Sequence, residues 1–155
     1  MSPLLRAVGW ITSVWGGLNA LYCVYRLIAA YMSLDSLARL DVAQRGPNFG
    51  LTRGCIITTM CFYFIWCVLA IITFKGGIDV LRRSIQSLML VTHIPAAIAG
   101  VGLLAGITLL AFERLGAEAL PYMLGFGLAF VLGLALTVFN NFVLSMKKYR
   151  NELEV

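Results

Sequence analysis

The sequence predicts an all-α, polytopic membrane protein with four transmembrane helices that form two hairpins. Four long apolar stretches, residues 7–31, 54–74, 86–112 and 119–145, occupy most of the 155-residue chain, and none contains an Asp or Glu. About 20 mostly apolar residues are enough for an α-helix to cross a ~30 Å hydrocarbon core. The composition agrees, with 61% hydrophobic and 12% charged residues. We therefore expect residues 1–155 to form a single four-helix transmembrane domain.

The first apolar stretch is predicted to be a retained helix that leads into the longest loop. A removable signal peptide is not expected, because the apolar run is too long and no small-residue cleavage site ends it. Residues 33–53 follow as an outer loop, in which Ser33 or Ser36 could cap a short interfacial helix. The turn formers Gly46-Pro47-Asn48 then direct the chain back toward the membrane.

The distribution of basic residues predicts that both termini lie on the inner side of the membrane (N-in, C-in). Inner segments carry more Lys and Arg than outer segments in this arrangement, as the positive-inside rule requires. Basic clusters beside apolar spans are also typical contacts for anionic lipid headgroups or partner subunits. The candidate headgroup or partner contacts are two pairs of adjacent residues: Arg82, Arg83, Lys147 and Lys148.

Arg26 is the most costly residue to bury, because it lies inside the first apolar stretch. A charged side chain costs at least ~2.5 kcal/mol at the bilayer centre on insertion scales and less near the interface. Its long stem could carry the guanidinium to the outer headgroups. Alternatively, Arg26 contacts an anionic lipid or an acid of another subunit. Because Tyr22 lies one helical turn away, we treat Arg26 and Tyr22 together as candidate partner or lipid contacts.

His93 is the only histidine and lies near the start of the third stretch. It could make a structural hydrogen bond, contact a quinone or ligate haem, although a bis-His haem site would need a second ligand from a partner. His93 is therefore the one candidate cofactor-binding residue, with the structural hydrogen bond preferred. The cysteines form no C-x-x-C pair and are expected to pack as small apolar residues: Cys23, Cys55, Cys61 and Cys67. Neither a bound cofactor nor a metal site is predicted.

Small residues at intervals of four predict close packing between the third and fourth helices. Such spacing places small side chains on one helix face, where backbones can approach closely within a bilayer. The candidate packing residues are Gly102 and Gly106 in the third span, and Gly125, Ala129 and Gly133 in the fourth.

Two adjacent amides, Asn140 and Asn141, lie near the inner end of the fourth span. Neighbouring helix positions diverge by ~100°, so at most one of them is expected to face a given helix interface. The Gly102-Leu-Leu-Ala-Gly106 run and the Phe139-Asn140-Asn141-Phe142 ending resemble the proton-channel subunits of the TolQ, ExbB and MotA type. That resemblance covers under half of the chain and implies a motor-type channel whose ionised carboxylate comes from a partner. The large cytoplasmic segment of that family is missing between these spans.

The function expected from the sequence is that of a non-catalytic integral subunit, which stabilises a larger membrane complex through helix–helix and lipid contacts. The apolar stretches contain no acidic residue and no convergent set of polar residues. The sequence therefore does not indicate an enzyme or an ion-coupled carrier. The alternative is a small homo-oligomeric channel or transporter, with the pore formed by the third and fourth helices. The expected partners are other membrane subunits and phospholipids, with homo-oligomers as an open alternative and nucleic acid excluded. The expected location is a bacterial or organelle inner membrane.

Overall fold

The computed structural model describes residues 1–83, 87–113, 120–146 and 153, and this part of the chain contains helices and turns but no strand. The prediction of an all-α protein is therefore confirmed. The helices account for nearly all of the described residues, as expected for a chain in which long apolar runs alternate with short polar connections.

Four long α-helices form the molecule: α1 (Pro3–Ala38), α2 (Phe49–Leu81), α3 (Ser87–Glu113) and α4 (Leu120–Ser145). A single 3₁₀ turn, Val42–Gln44, interrupts the connection between α1 and α2. Consecutive helices run antiparallel and pack as two hairpins, α1 with α2 and α3 with α4, joined mainly through α2 and α3. We call the half of the bundle that contains the start of α1 and the end of α4 the near half. The half that contains the α1–α2 connection is the far half.

Three segments are long and apolar enough to cross a membrane: Phe49–Leu81, His93–Ala111 and Leu124–Ser145. Helix α1 has 36 residues but is not among them. Its central turns carry Asn19 and Arg26, which lower its hydropathy. The described structure therefore supports a helical membrane protein, while the crossing of the membrane by α1 stays a prediction.

Helices α1 and α2 are longer than the apolar stretches that predicted them, so the predicted loop 33–53 is shortened to residues 39–48. The serines expected to cap a separate helix instead lie inside α1. Ser33 Oγ donates to the Ala29 carbonyl at 3.0 Å and Ser36 Oγ to the Met32 carbonyl at 2.8 Å. Such bonds satisfy the two hydroxyls within the helix, so these serines do not cap a separate helix.

Close backbone contact joins α1 to α2 in the near half. A Cβ added at Gly16 would lie 2.5 Å from the Phe74 amide nitrogen and 2.9 Å from the Ala70 carbonyl oxygen. A Cβ at Gly77 would lie 2.5 Å from the Ser13 amide nitrogen. Glycine at both positions allows the two backbones to touch.

Close backbone contact at glycine also joins α3 to α4, at two positions. A Cβ at Gly102 would lie 2.7 Å from the Phe126 carbonyl oxygen, and a Cβ at Gly133 would lie 3.0 Å from the Pro95 carbonyl oxygen. Ala129, one turn from Gly133, is also buried. These contacts set the antiparallel register of α3 and α4.

Asn140 ties three helices together in the near half. Its Nδ2 donates to Thr12 Oγ1 of α1 and to the Val91 carbonyl of α3, each at 3.1 Å. Asn141 is exposed and donates to the Thr137 carbonyl of its own helix at 2.9 Å. The two adjacent amides therefore face different environments, as their ~100° separation on the helix requires.

Candidate functional site

A cluster of aromatic rings occupies the far half of the bundle, where α1, α2 and α4 meet. The Tyr63 and Phe126 ring centroids are 4.9 Å apart, and those of Tyr63 and Trp66 are 5.7 Å apart with nearly parallel planes. Tyr22 meets both α2 rings edge to face, at 6.1 Å from Tyr63 and 5.9 Å from Trp66. Such geometries are favourable for aromatic pairs and add to the burial of the rings.

Helical spacing explains how these residues come together. Tyr63 and Trp66 are three positions apart on α2, and Tyr22 and Arg26 are four positions apart on α1, so each pair shares a helix face. Phe126 follows Gly125 on α4 and is fully buried.

The Arg26 guanidinium lies over this cluster. Its Cζ is 5.6 Å from the Tyr63 ring centroid and 6.0 Å from the Tyr22 ring centroid. Both distances fall within the range in which a cation is attracted to an aromatic face. The side chain is half-buried, so the structure places the charge beside the aromatic core.

A groove opens sideways between α1 and α4 beside the aromatic cluster; we call it the α1–α4 groove. These two helices contact each other only sparsely, and the space between them has a volume of about 340 Å³. Ligand sites in proteins have volumes of ~300–1,000 Å³ and are lined mainly by apolar side chains. The groove fits this description, with the following lining residues: Trp15, Leu18, Asn19, Tyr22, Trp66, Gly125, Leu128, Ala129 and Leu132.

One hydrogen-bond donor in the wall of this groove has no acceptor. Trp66 is 2% exposed, and its Nε1–H finds no partner among the described residues. Asn19, in contrast, uses its Nδ2 to donate to the Trp15 carbonyl at 2.8 Å. Because buried polar groups are normally paired, the Trp66 indole is the clearest indication of a missing acceptor in this region.

The small residues predicted to pack α3 against α4 fall into three environments. Gly102 and Gly133 lie in the α3–α4 contact described above, whereas the buried Ala129 lines the α1–α4 groove. Gly125 faces α1 instead, since a Cβ there would lie 2.9 Å from the Tyr22 hydroxyl oxygen. A Cβ at Gly106 would meet nothing within 4 Å, so Gly106 makes no close contact with another helix of the described structure.

The remaining predicted residues do not converge on one site. His93 is exposed on α3, so a cofactor bound to it would have to lie outside the bundle. Arg82 and Arg83 are exposed at the end of α2, where Arg83 adopts a left-handed conformation with φ of 60° that terminates the helix. Lys147 and Lys148 lie outside the described residues.

The cysteines are separated by burial. Cys23, Cys55 and Cys67 are buried, whereas Cys61 is exposed, and all are free thiols. Cys67 Sγ lies 4.0 Å from the Ala20 carbonyl oxygen. Within the described ranges, no group of three or more His, Cys, Asp or Glu side chains could hold a metal ion.

Sequence reasoning missed the aromatic cluster and the groove beside it. The spacing of Tyr63 and Trp66 was a usable signal, because residues three apart share a face. The partnership with Phe126 had no local signal, since it joins helices far apart in the sequence.

Comparisons with known proteins identify no relative of this chain. The chain matches no protein-family model, no curated protein sequence and no solved structure. Its class therefore rests on its own structure: three helices that are long and apolar enough to span a bilayer define a helical membrane protein.

Proposed function

We propose that this chain is a non-catalytic integral subunit of a larger membrane assembly, located in a bacterial or organelle inner membrane. In this proposal all four helices cross the bilayer, with both termini inside, and the chain binds a partner helix through α3 and α4. One observation carries the proposal, namely a shallow groove on the outer surface of these two helices. Two of the glycines that line it, Gly106 and Gly127, face open space.

This second groove, the α3–α4 groove, has a volume of about 240 Å³. A Cβ at Gly106 or at Gly127 would meet nothing within 4 Å, although both glycines line it. The other lining residues are Gly102, which packs against α4, and four large apolar residues: Leu103, Ile107, Leu110 and Phe130.

Open glycines at this depth favour a partner helix over bulk lipid. Lipid chains are as apolar as Leu, so helices associate in bilayers through close backbone approach at small residues. Glycine in a helix interior costs about 1 kcal/mol relative to Ala, and the described contacts of Gly106 and Gly127 offer nothing in return. Gly102 and Gly133, in contrast, are used within the chain.

The channel alternative receives less support from the same surface. Exposed positions of α3 and α4 are occupied by large apolar side chains, including Leu104, Val131 and Val138. The Thr108 and Thr137 hydroxyls donate to carbonyls of their own helices at 2.8 Å. An aqueous pore lined by these faces would therefore have few polar groups to solvate an ion.

The proposal is tested by replacing groove glycines in the tagged chain expressed in its native membrane. Gly106→Leu and Gly127→Leu are each expected to fill the groove and to reduce co-purification of a partner about tenfold, without loss of the folded chain. Gly100→Leu is the matched control, because Gly100 is also an open glycine of α3 but does not line the groove. The measurement is mild-detergent purification followed by quantitative mass spectrometry.

Two results would contradict the proposal. The first is a chain that purifies alone as a monomer from its native membrane under conditions that preserve other complexes. The second is an unchanged set of companions in both groove variants. A homo-oligomer lost in the groove variants would instead assign the groove to a second copy and would require flux measurements in liposomes.

A further inference from the structure

We propose that the α1–α4 groove binds one chain of an anionic membrane lipid, with the lipid headgroup beside Arg26. This inference concerns a different surface from the α3–α4 groove, so it goes beyond the proposed subunit role. It rests on the order of chemical groups along the α1–α4 groove, on the unpaired Trp66 donor and on the position of the guanidinium.

The groove changes from charged to apolar along the helix axis. Arg26 lies just beyond the residues that line the groove, on the far side of Tyr22, with its Cζ 6.0 Å from the Tyr22 ring. Tyr22 and Trp66 follow at the next level and supply O–H and N–H groups. Leu18 and Leu132 then line the deeper part. An anionic amphiphile has the same order, with its charge outermost, ester carbonyls next and an alkyl chain beyond.

The dimensions agree with one leaflet of a bilayer. Arg26 and Trp15 are 11 positions apart on α1, which corresponds to about 16 Å along a helix. Half of a hydrocarbon core is about 15 Å thick. A lipid chain that enters beside Arg26 would therefore reach Trp15 near the bilayer centre, where the groove ends.

A lipid ester carbonyl would supply the acceptor that Trp66 lacks among the described residues. The Trp66 Nε1–H is buried in the groove wall, and leaving such a donor unpaired costs about 1–3 kcal/mol. A partner helix would satisfy this donor less readily, because its own backbone carbonyls are already bonded within the helix. A positive charge near the membrane surface also favours anionic over zwitterionic headgroups.

Fluorescence quenching of Trp66 by brominated lipids tests this proposal. The full chain carrying Trp10→Phe and Trp15→Phe retains Trp66 as its one tryptophan and is placed in phosphatidylcholine nanodiscs. Phosphatidylglycerol brominated on its acyl chain is expected to quench Trp66 with about fivefold higher apparent affinity than equally brominated phosphatidylcholine, which corresponds to one Arg–headgroup contact. Equal quenching by the two lipids would overturn the proposal, whatever the results with the variants described next.

Three substitutions locate the lipid. Arg26→Gln is expected to abolish the fivefold preference, whereas Arg53→Gln, which removes an exposed arginine of α2, is expected to retain it. Gly125→Leu fills the groove beside Tyr22 without changing the net charge, and quenching by both lipids is expected to fall. Unchanged quenching in Gly125→Leu would overturn the proposal, because the lipid would then lie elsewhere. Protection of Trp66 from both lipids by a co-purified protein would also overturn it and assign the groove to a partner helix.

Discussion

The near and far halves of the bundle are held together by different means. In the near half, Gly16 and Gly77 bring the α1 and α2 backbones into contact, and Asn140 bonds α4 to both α1 and α3. In the far half, Tyr63 and Phe126 fill the space between helices with stacked rings. Small residues draw helices together, whereas large rings keep their axes apart.

This difference explains where the bundle is open. Burial of Leu against another helix gives little net stabilisation in a bilayer, so backbone approach and polar contacts determine which helices touch. Asn140 closes α1 onto α4 in the near half. In the far half, Tyr22 of α1 lies against Gly125 of α4, and the α1–α4 groove opens beside Trp66. The two halves therefore differ in how α1 meets α4, and the lipid proposal concerns the far half.

The largest expected effect comes from breaking the backbone contact of the near half. Gly16→Ala and Gly77→Ala are each expected to destabilise the chain by about 1–3 kcal/mol, the usual range for overpacking. The added Cβ would meet backbone atoms at 2.5 Å, and backbone cannot move aside as a flexible side chain can. The measurement is the midpoint of unfolding in mixed micelles, followed by far-UV circular dichroism.

Gly100→Ala is the matched control for these two variants. It introduces the same methyl group into open space and is expected to be neutral or stabilising by up to about 1 kcal/mol, through helix propensity. Equal unfolding midpoints for Gly16→Ala and Gly100→Ala would show that the α1–α2 backbones do not touch as described.

A smaller effect is expected from weakening the aromatic cluster of the far half. Phe126 is fully buried and its ring centroid lies 5.4 Å from that of Trp66. Phe126→Leu keeps the site apolar but removes the ring, so we expect a loss of about 0.5–1.5 kcal/mol for the aromatic contacts. Phe142→Leu, at a position of α4 that is 64% exposed, serves as the control. A near-UV circular dichroism signal that changes only in Phe142→Leu would contradict the assignment.

The sequence was sufficient to predict the helical class because that class depends on local patterns. Long apolar runs without acids predict helices, and the helices were found where the runs lie. The boundaries were less accurate: α1 continues through Ser33 and Ser36, whose hydroxyls bond to carbonyls one turn earlier. Apolarity measures where a helix meets lipid, not where its hydrogen bonds end.

The aromatic cluster and the groove beside it could not be predicted, because they depend on which helices are neighbours in the bundle. Small-residue spacing gave no means of distinguishing Gly102 and Gly133, which lie near another backbone, from Gly106, which faces outward. Both the glycines that contact another helix and the one that faces outward belong to patterns of small residues spaced four apart. Likewise, Arg26 was recognised as costly, but its position over Tyr63 requires knowledge of α2's rotation about its own axis.

The smallest expected effect concerns the hydrogen bonds of Asn140. Asn140→Leu removes the bonds to Thr12 and to the Val91 carbonyl, and buried interhelical bonds in membrane proteins contribute about 0.6 kcal/mol on average. Asn140 Oδ1 has no partner among the described residues, so replacement also removes a buried, unpaired acceptor. We therefore expect a net loss of only about 0.5 kcal/mol. Asn141→Leu, the adjacent exposed position, is the control and should change stability less.

A double-mutant cycle separates the Asn140–Thr12 bond from the other consequences of each substitution. Thr12→Val and Asn140→Leu should have less than additive effects, with a coupling of about 0.6 kcal/mol, because either change alone removes the bond. Additive effects would mean that α1 and α4 are not joined at this level. The gap between these helices would then run the whole length of the bundle, and the contrast between a closed near half and an open far half would fail.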